Sequence, residues 1–317
     1  MSTLGNHMVD KHGRRMRKLR ISLLDACNLR CLYCMPEHPV FMPQKDWASV
    51  KDLLNITRNL VTLGIEEVRL TGGEPLMRKD FVEIVYELST LPVKKLGVTT
   101  NALLLAPHLQ VLQQTKLRHL NISLDSLDAK NFIRITRRDG FSAVMDAILA
   151  AKALGFTVKV NAVIMKNVND HELSAFVEWS ATHDIPVRFL EVMKIGVMKS
   201  QFQEHFLPAS DMMAILRTNY QLSALNDKSD STSRNFRVSN GAKIGFITSE
   251  SNPFCTGCSR LRLTPKGQIR PCLFMEEGID LKPLAPEDYP AALAAIIAMK
   301  PTGRIPHQPQ PMYQIGG

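Results

Sequence analysis

Between residues 18 and 193 the chain alternates two hydrophobic periods. Short runs at 19–25, 67–72, 96–101, 119–125, 157–164 and 187–193 are rich in Val, Ile, Leu and Thr and alternate apolar with polar residues. The segments between them, such as 50–63, 81–88, 141–154 and 170–183, carry apolar residues at helical spacing. A period of two predicts a strand and a period near 3.6 an amphipathic helix. Six strand-then-helix units predict parallel strands joined by right-handed crossovers. Two architectures fit: an open doubly wound sheet, or a barrel, complete or partial.

The strand faces choose between them. One face carries Leu19, Ile21, Val68, Leu70, Ile122, Leu124, Val158 and Val160. The other carries Arg20, Ser22, Arg69, Thr71, Thr99, Asn101, Asn121, Ser123, Lys159 and Asn161. A parallel sheet covered by helices on both sides reads apolar on both faces, and a closed eight-stranded barrel fills its interior with branched apolar side chains. A polar, cationic face fits neither. The pattern predicts an α/β fold, a partial (β/α)6 TIM-type barrel with a wet, ligand-filled interior. Asp25, Gly72-Gly73-Glu74, Asn101, Asp125 and Glu191 fall at the C-terminal strand ends, the rim where barrels of this kind build active sites.

After residue 193 the rhythm changes. Residues 194–210 read as loop, 211–218 as a short helix and 226–234 as a surface loop. Two hairpins follow, 235–248 turning near Ser239-Asn240-Gly241 and 260–273 turning at Pro265-Lys266-Gly267. An Ala-rich helix is expected over 291–299. The expected division is a basic N-terminal segment (1–17), the partial barrel (18–193) and a C-terminal extension (194–317) packing over its open side.

Composition narrows the setting. The chain has 317 residues, 45% of them hydrophobic, which suits a large folded core. No apolar run is long enough to span a bilayer, and the polar then basic N-terminus lacks the apolar core of a secretory signal. A cytoplasmic protein is expected, and its cysteines read as metal ligands before disulfides. The net charge of +9 favours an anionic partner. Charge alone does not separate a nucleotide from RNA or a membrane surface.

The six cysteines form two triads with none left over. Cys27, Cys31 and Cys34 are spaced C-x3-C-x2-C, in the loop after the first strand. Cys255, Cys258 and Cys272 are spaced C-x2-C-x13-C and bracket the second hairpin. Three thiolates hold three irons of a [4Fe–4S] cluster and leave the fourth open to a small molecule. Zinc is the competing reading, with His38 as a fourth ligand for the first triad. Gly72-Gly73-Glu74-Pro75 follows the second strand. There the diglycine permits close backbone approach, and its carbonyls and the Glu accept bonds from an ammonium group. Ser259-Arg260-Leu261-Arg262 follows Cys258, placing two guanidinium forks suited to phosphate on one strand face. The chain ends Gly316-Gly317.

The first triad with Gly72-Gly73-Glu74-Pro75 resembles the radical S-adenosylmethionine (SAM) superfamily. With the second triad, Arg260-Leu261-Arg262 and the terminal diglycine, the chain resembles, nearly end to end, the MoaA-type GTP 3′,8-cyclases of molybdenum cofactor biosynthesis. That resemblance implies two [4Fe–4S] clusters, on Cys27, Cys31 and Cys34 and on Cys255, Cys258 and Cys272. It implies SAM contacts at Tyr33, Gly73, Glu74, Ser123 and Met193, with GTP contacts at Arg20, Arg69, Thr99, Lys159, Arg260 and Arg262. Gly316 and Gly317 would join Arg260 and Arg262 in positioning substrate. The implied reaction is cleavage of SAM to a 5′-deoxyadenosyl radical, hydrogen abstraction from C3′ of GTP and closure onto C8 of guanine, giving (8S)-3′,8-cyclo-7,8-dihydroguanosine 5′-triphosphate. Implied partners are a flavodoxin- or ferredoxin-like reductant and a MoaC-like next enzyme, for a monomer or homodimer that binds neither membrane nor nucleic acid. Two positions depart from the family pattern: Ala26 replaces an Arg and Ala102 a Gly. The rivals are a radical SAM peptide- or RNA-modifying enzyme and a zinc-stapled binding protein with a basic groove.

Overall fold

A computed structural model describes residues 8–305 and 310–315. Strands β1 (Lys18–Ser22), β2 (Glu67–Thr71), β3 (Lys95–Thr100), β4 (Leu117–Ser123), β5 (Thr157–Ile164) and β6 (Val187–Glu191) stand where alternation places them. Between them lie α1 (Val50–Thr62), α2 (Phe81–Thr90), α3 (Leu109–Gln113), α4 (Ala129–Thr136), α5 (Phe141–Ala153) and α6 (Leu173–His183). The first strand ends at Ser22, before Asp25, because the chain there turns into the rim loop that carries the first cysteines. The start of α1 follows from local chemistry: Ser49 and Asp52 form a reciprocal capping box, and Leu53, Ile56 and Leu60 bury one face.

Beyond β6 come α7 (Met198–His205), α8 (Ala209–Arg217), β7 (Leu222–Ala224), β8 (Arg234–Val238) and β9 (Lys243–Ile247). Then follow β10 (Arg260–Leu263), β11 (Gln268–Arg270), β12 (Ile279–Asp280), α9 (Tyr289–Ala298) and α10 (Met312–Ile315). Both hairpins form, yet they do more than cover the barrel. All twelve strands join one sheet in the order β12-β11-β10-β1-β2-β3-β4-β5-β6-β9-β8-β7. Strand β10 pairs parallel with β1, and β9 parallel with β6. The fold is a partial (β/α)6 barrel widened by one parallel strand at each edge, with antiparallel strands outside those.

The 194–210 loop expectation is corrected by α7. Its sequence is mostly polar, but Met198 and Phe202 fall four apart and bury against Ile135, Met165, Val168 and Val192. The segment between β7 and β8 reaches the opposite edge of the sheet. Asp230 there pairs with Arg17 at 2.7 Å and Lys18 at 2.8 Å and accepts from Ser259 at 2.6 Å. The main core fills the space between the apolar strand face and the helices, from Leu19 and Ile21 through Val160 and Phe189. Among the described residues no helix is long and apolar enough to cross a membrane.

Candidate active site

The polar strand face opens on a cavity of about 310 Å³ at the C-terminal strand ends. All six cysteines line it, three from the loop after β1 and three from the two ends of the β10–β11 hairpin, more than two hundred residues further along. Tyr33, Gly73, Glu74, Ser123 and Met193 line it too, as do Arg20, Thr99, Arg260 and Arg262. Arg69 and Lys159 lie outside this lining, yet their strands carry them onto the same face. Arg69 stands beside Arg20 in register, and Lys159 beside Asn121, which does line the cavity. Gly316 and Gly317 lie outside the described residues, although Met312 and Tyr313 line the cavity just before them.

The first triad is held by its surroundings. Leu29 N and Leu32 N lie on the cysteine loop: Leu29 N donates to Cys27 Sγ at 3.4 Å, and Leu32 N to Ile135 O on α4 at 3.0 Å. Asn101 Nδ2 donates to Asn28 at 2.7 Å and to Cys27 Sγ at 3.7 Å. Tyr33 Oη donates to Asp125 at 2.8 Å, and Asp125 also accepts from Val163 N at 2.8 Å. Burial, with Glu74 nearby, pushes the Cys27 thiol up to about 11, and burial raises Cys31 and Cys34 as well. Three half-buried neutral thiols are costly to ionise until a metal supplies positive charge.

The diglycine has a different first neighbour from the one its sequence suggests. A Cβ on Gly73 would stand 2.2 Å from Ala26 O and 2.5 Å from Asp25 O. Gly73 N donates to Leu24 O, and Glu74 N to Ala26 O, both at 2.8 Å. The close approach is thus to the backbone that leads into Cys27. Glu74 accepts from Leu76 N at 3.0 Å, Thr100 Oγ1 at 2.8 Å and Asn101 N at 2.7 Å. Its carboxylate therefore binds β2 to β3 and retains about one of four acceptor sites for a ligand. Burial lifts it to about 7. Ala102 stands at φ 64°, the left-handed conformation that a Gly would adopt without strain. Gly73→Ala is expected to displace the 24–26 backbone and cost about 1–3 kcal/mol, lowering iron retained after anaerobic purification severalfold. Unchanged iron content and melting temperature would contradict that role for the glycine.

The second triad lies in cationic surroundings. Arg260 Nη2 sits 3.4 Å from Cys258 Sγ, and its guanidinium lies 4.8 Å from the Phe254 ring centroid. Burial pushes the Cys258 thiol up, but Arg260 and Lys300 outweigh it and bring it down to about 6. Beside it the arginines crowd one another. Arg20 pairs in register with Arg262 on β10 and with Arg69 on β2. Burial, then Arg262, Arg260 and Arg69, hold Arg20 well below its usual value. Arg69 falls to about 10 through burial and Arg188, and Lys159 to about 8 through burial, Arg188 and Lys95. A wall of half-buried, mutually repelling cations is stabilised by a polyanion such as a triphosphate.

Sequence reasoning missed Arg188, although it occupies a polar position of β6 and lines the cavity. It missed Lys300, which has no local pattern to mark it. The rim carboxylates are mostly committed to structure: Glu191 accepts from Ala209 N, Glu250 N and Ser251 N at 2.8–2.9 Å. His38 is exposed, away from the cavity lining. Among the described residues no three His, Cys, Asp or Glu side chains converge closely enough for a single metal ion. Two sets of three soft thiol donors without a fourth protein ligand fit iron–sulfur clusters better than zinc.

The parallel partial barrel, with three cysteines in the loop after β1 and the glycine pair after β2, defines the radical SAM class. The model of the Radical SAM superfamily matches residues 21–180, and that of Molybdenum Cofactor Synthesis C matches residues 185–306. A GTP 3′,8-cyclase from Synechocystis sp. is 41% identical over 98% of this chain and 95% of its own length. One from Clostridium acetobutylicum is 36% identical over 98% of this chain and all of its own. The SAM-bound crystal structure of Streptococcus suis SuiB shares the fold, with a TM-score of 0.64 and 17% identity over 91% of this chain and 69% of that one. The chain belongs to the GTP 3′,8-cyclase family.

Proposed function

We propose that the protein is a radical SAM lyase that converts GTP to (8S)-3′,8-cyclo-7,8-dihydroguanosine 5′-triphosphate, the first step of molybdenum cofactor biosynthesis. The observation that carries this reading is one cavity faced by two cysteine triads and walled by arginines. Cys27, Cys31 and Cys34 would hold one [4Fe–4S] cluster, and Cys255, Cys258 and Cys272 a second. When bound, the first cluster and SAM supply one-electron reductive cleavage to a carbon radical, and the second cluster supplies an open iron for guanine.

The chain's own residues bind, orient and shield. Tyr33, Gly73, Ser123 and Met193 form the SAM side of the cavity, and Glu74 fixes the strand ends while offering its remaining acceptor site to the amino group. Arg20, Arg69, Thr99, Lys159, Arg260 and Arg262, with Arg188, hold GTP so that its ribose faces the first triad. Gly316 and Gly317 would join Arg260 and Arg262 in positioning substrate. The enclosing barrel limits water near the radical. We further infer a cytoplasmic setting, a flavodoxin- or ferredoxin-like reductant, transfer of product to a MoaC-like enzyme, and a monomer or homodimer.

Anaerobic incubation with SAM, GTP and a strong reductant tests the reading. The expected products are methionine, 5′-deoxyadenosine and the cyclised triphosphate; SAM cleavage with GTP recovered unchanged would reject it. A second measurement addresses the cationic wall. Lys159, held near 8, is about half neutral at pH 8, and a triphosphate would raise its pKa. GTP binding at pH 8 is therefore expected to take up about half a proton, and almost none at pH 6 from this group. Calorimetry in two buffers of different ionisation enthalpy reads this directly. Equal heats at pH 8 would remove Lys159 from the phosphate contacts.

A further inference from the structure

Lys300 is a charged side chain only 5% exposed, two residues beyond the end of α9. Its Nζ donates to Arg260 O at 2.7 Å and to Pro271 O at 2.8 Å. Arg260 stands two residues after Cys258, and Pro271 immediately precedes Cys272. One ammonium thus ties the two arms of the β10–β11 hairpin at the cysteines they carry. The Cys258 sulfur lies close enough for the ammonium's charge to act on it. Among the described residues Lys300 is the one lysine lining the cavity.

The lysine is itself braced from the other end of the chain. The Arg14 guanidinium, 7% exposed, donates to the carbonyls of Cys255 at 2.7 Å, Pro301 at 2.8 Å and Lys300 at 3.2 Å. Its Nε pairs with buried Asp10 at 2.6 Å. Two buried cations therefore hold the backbone at or beside all three cysteines of the second triad. The first triad has the opposite surroundings, with Asp125 acting on Cys31 and Glu74 on Cys27.

We propose that Lys300 is a positioning residue for the second triad, holding its hairpin arms and supplying a fixed positive charge that makes the cluster bound there easier to reduce. This rests on the reading that the second triad carries an iron–sulfur cluster. Reduction adds negative charge to a thiolate-bound cluster, and a nearby buried cation stabilises the reduced form more than the oxidised one. Burying an unpaired ammonium would otherwise be costly.

The test uses full-length protein with Cys27, Cys31 and Cys34 replaced by Ala, so that only the second cluster is read. Iron content and the reduction potential, followed by electron paramagnetic resonance, are compared for Lys300, Lys300→Gln and Lys300→Arg. Lys300→Gln is expected to weaken reduction at least tenfold, 59 mV for one electron, or to lose this cluster's iron; Lys300→Arg is expected to stay within threefold of the parent. Unchanged iron and potential in Lys300→Gln would overturn the proposal. So would a Lys300→Arg variant impaired as much as Lys300→Gln, and this comparison stands even where the Gln variant fails to fold. A parent protein that binds no cluster at the second triad would instead reject the underlying reading.

Discussion

Arg260→Ala and Arg262→Ala are expected to leave SAM cleavage within a few-fold of the parent while cyclised GTP falls by roughly 30- to 3,000-fold. The separation follows from where these side chains stand. Both lie on β10, which pairs with β1, and both line the cavity on the side of the second triad. The proposed SAM contacts lie instead in the loops after β1 and β2 and at or just past the ends of β4 and β6. Removing one arginine from a buried phosphate contact costs about 2–5 kcal/mol, and 1.4 kcal/mol corresponds to about tenfold, hence the range. Arg262 falls to about 10 through burial and the neighbouring Arg260, so its removal also relieves repulsion in the free protein, which places Arg262→Ala toward the smaller loss. The measurement is 5′-deoxyadenosine formed against cyclised product in the same reaction. Equal loss of both would show that the arginines support the fold or the SAM site rather than the substrate.

Much of this arrangement was legible because it depends on local periodicity. A period of two sorts Arg20, Arg69, Thr99, Ser123 and Lys159 onto one face without reference to any partner strand. The same rule places Arg188 of β6 on that face. What alternation does not contain is the third partner of a hairpin strand. The turns at Gly241 and Gly267 specify β8 with β9 and β10 with β11, but the parallel pairing of β9 with β6 and β10 with β1 is set by long-range packing. For that reason the extension reads as a cover when it also lengthens the sheet. The diglycine illustrates another limit. Sequence shows that something comes close to Gly73, and only the fold shows that the backbone at Ala26 does. Lys300 and Arg14 lie beyond any local pattern, since their meaning comes from carbonyls 40 residues away for Lys300 and 241 for Arg14.

The two triads are separable by substitution, and the expected asymmetry is large. Cys27→Ser should remove the first cluster and with it SAM cleavage, to below about one-hundredth of the parent rate. Three thiolates are the fewest that hold a cube with one open iron, and Cys27 has a further structural tie: its Sγ accepts from Leu29 N and Asn101 Nδ2. Cys255→Ser should leave SAM cleavage largely intact, because Cys255 stands in the segment before β10, whereas the first-triad loop is tied to α4 and to Asn101 after β3. It should remove most GTP turnover, because on the proposed reading the purine would lose its iron contact while the arginine wall would still bind the triphosphate. GTP affinity is then expected to weaken less than cyclisation, and calorimetry beside product analysis measures both. Full cyclase activity without Cys255 would remove the second cluster from the reaction, and SAM cleavage surviving Cys27→Ser would move the radical chemistry away from the rim of β1.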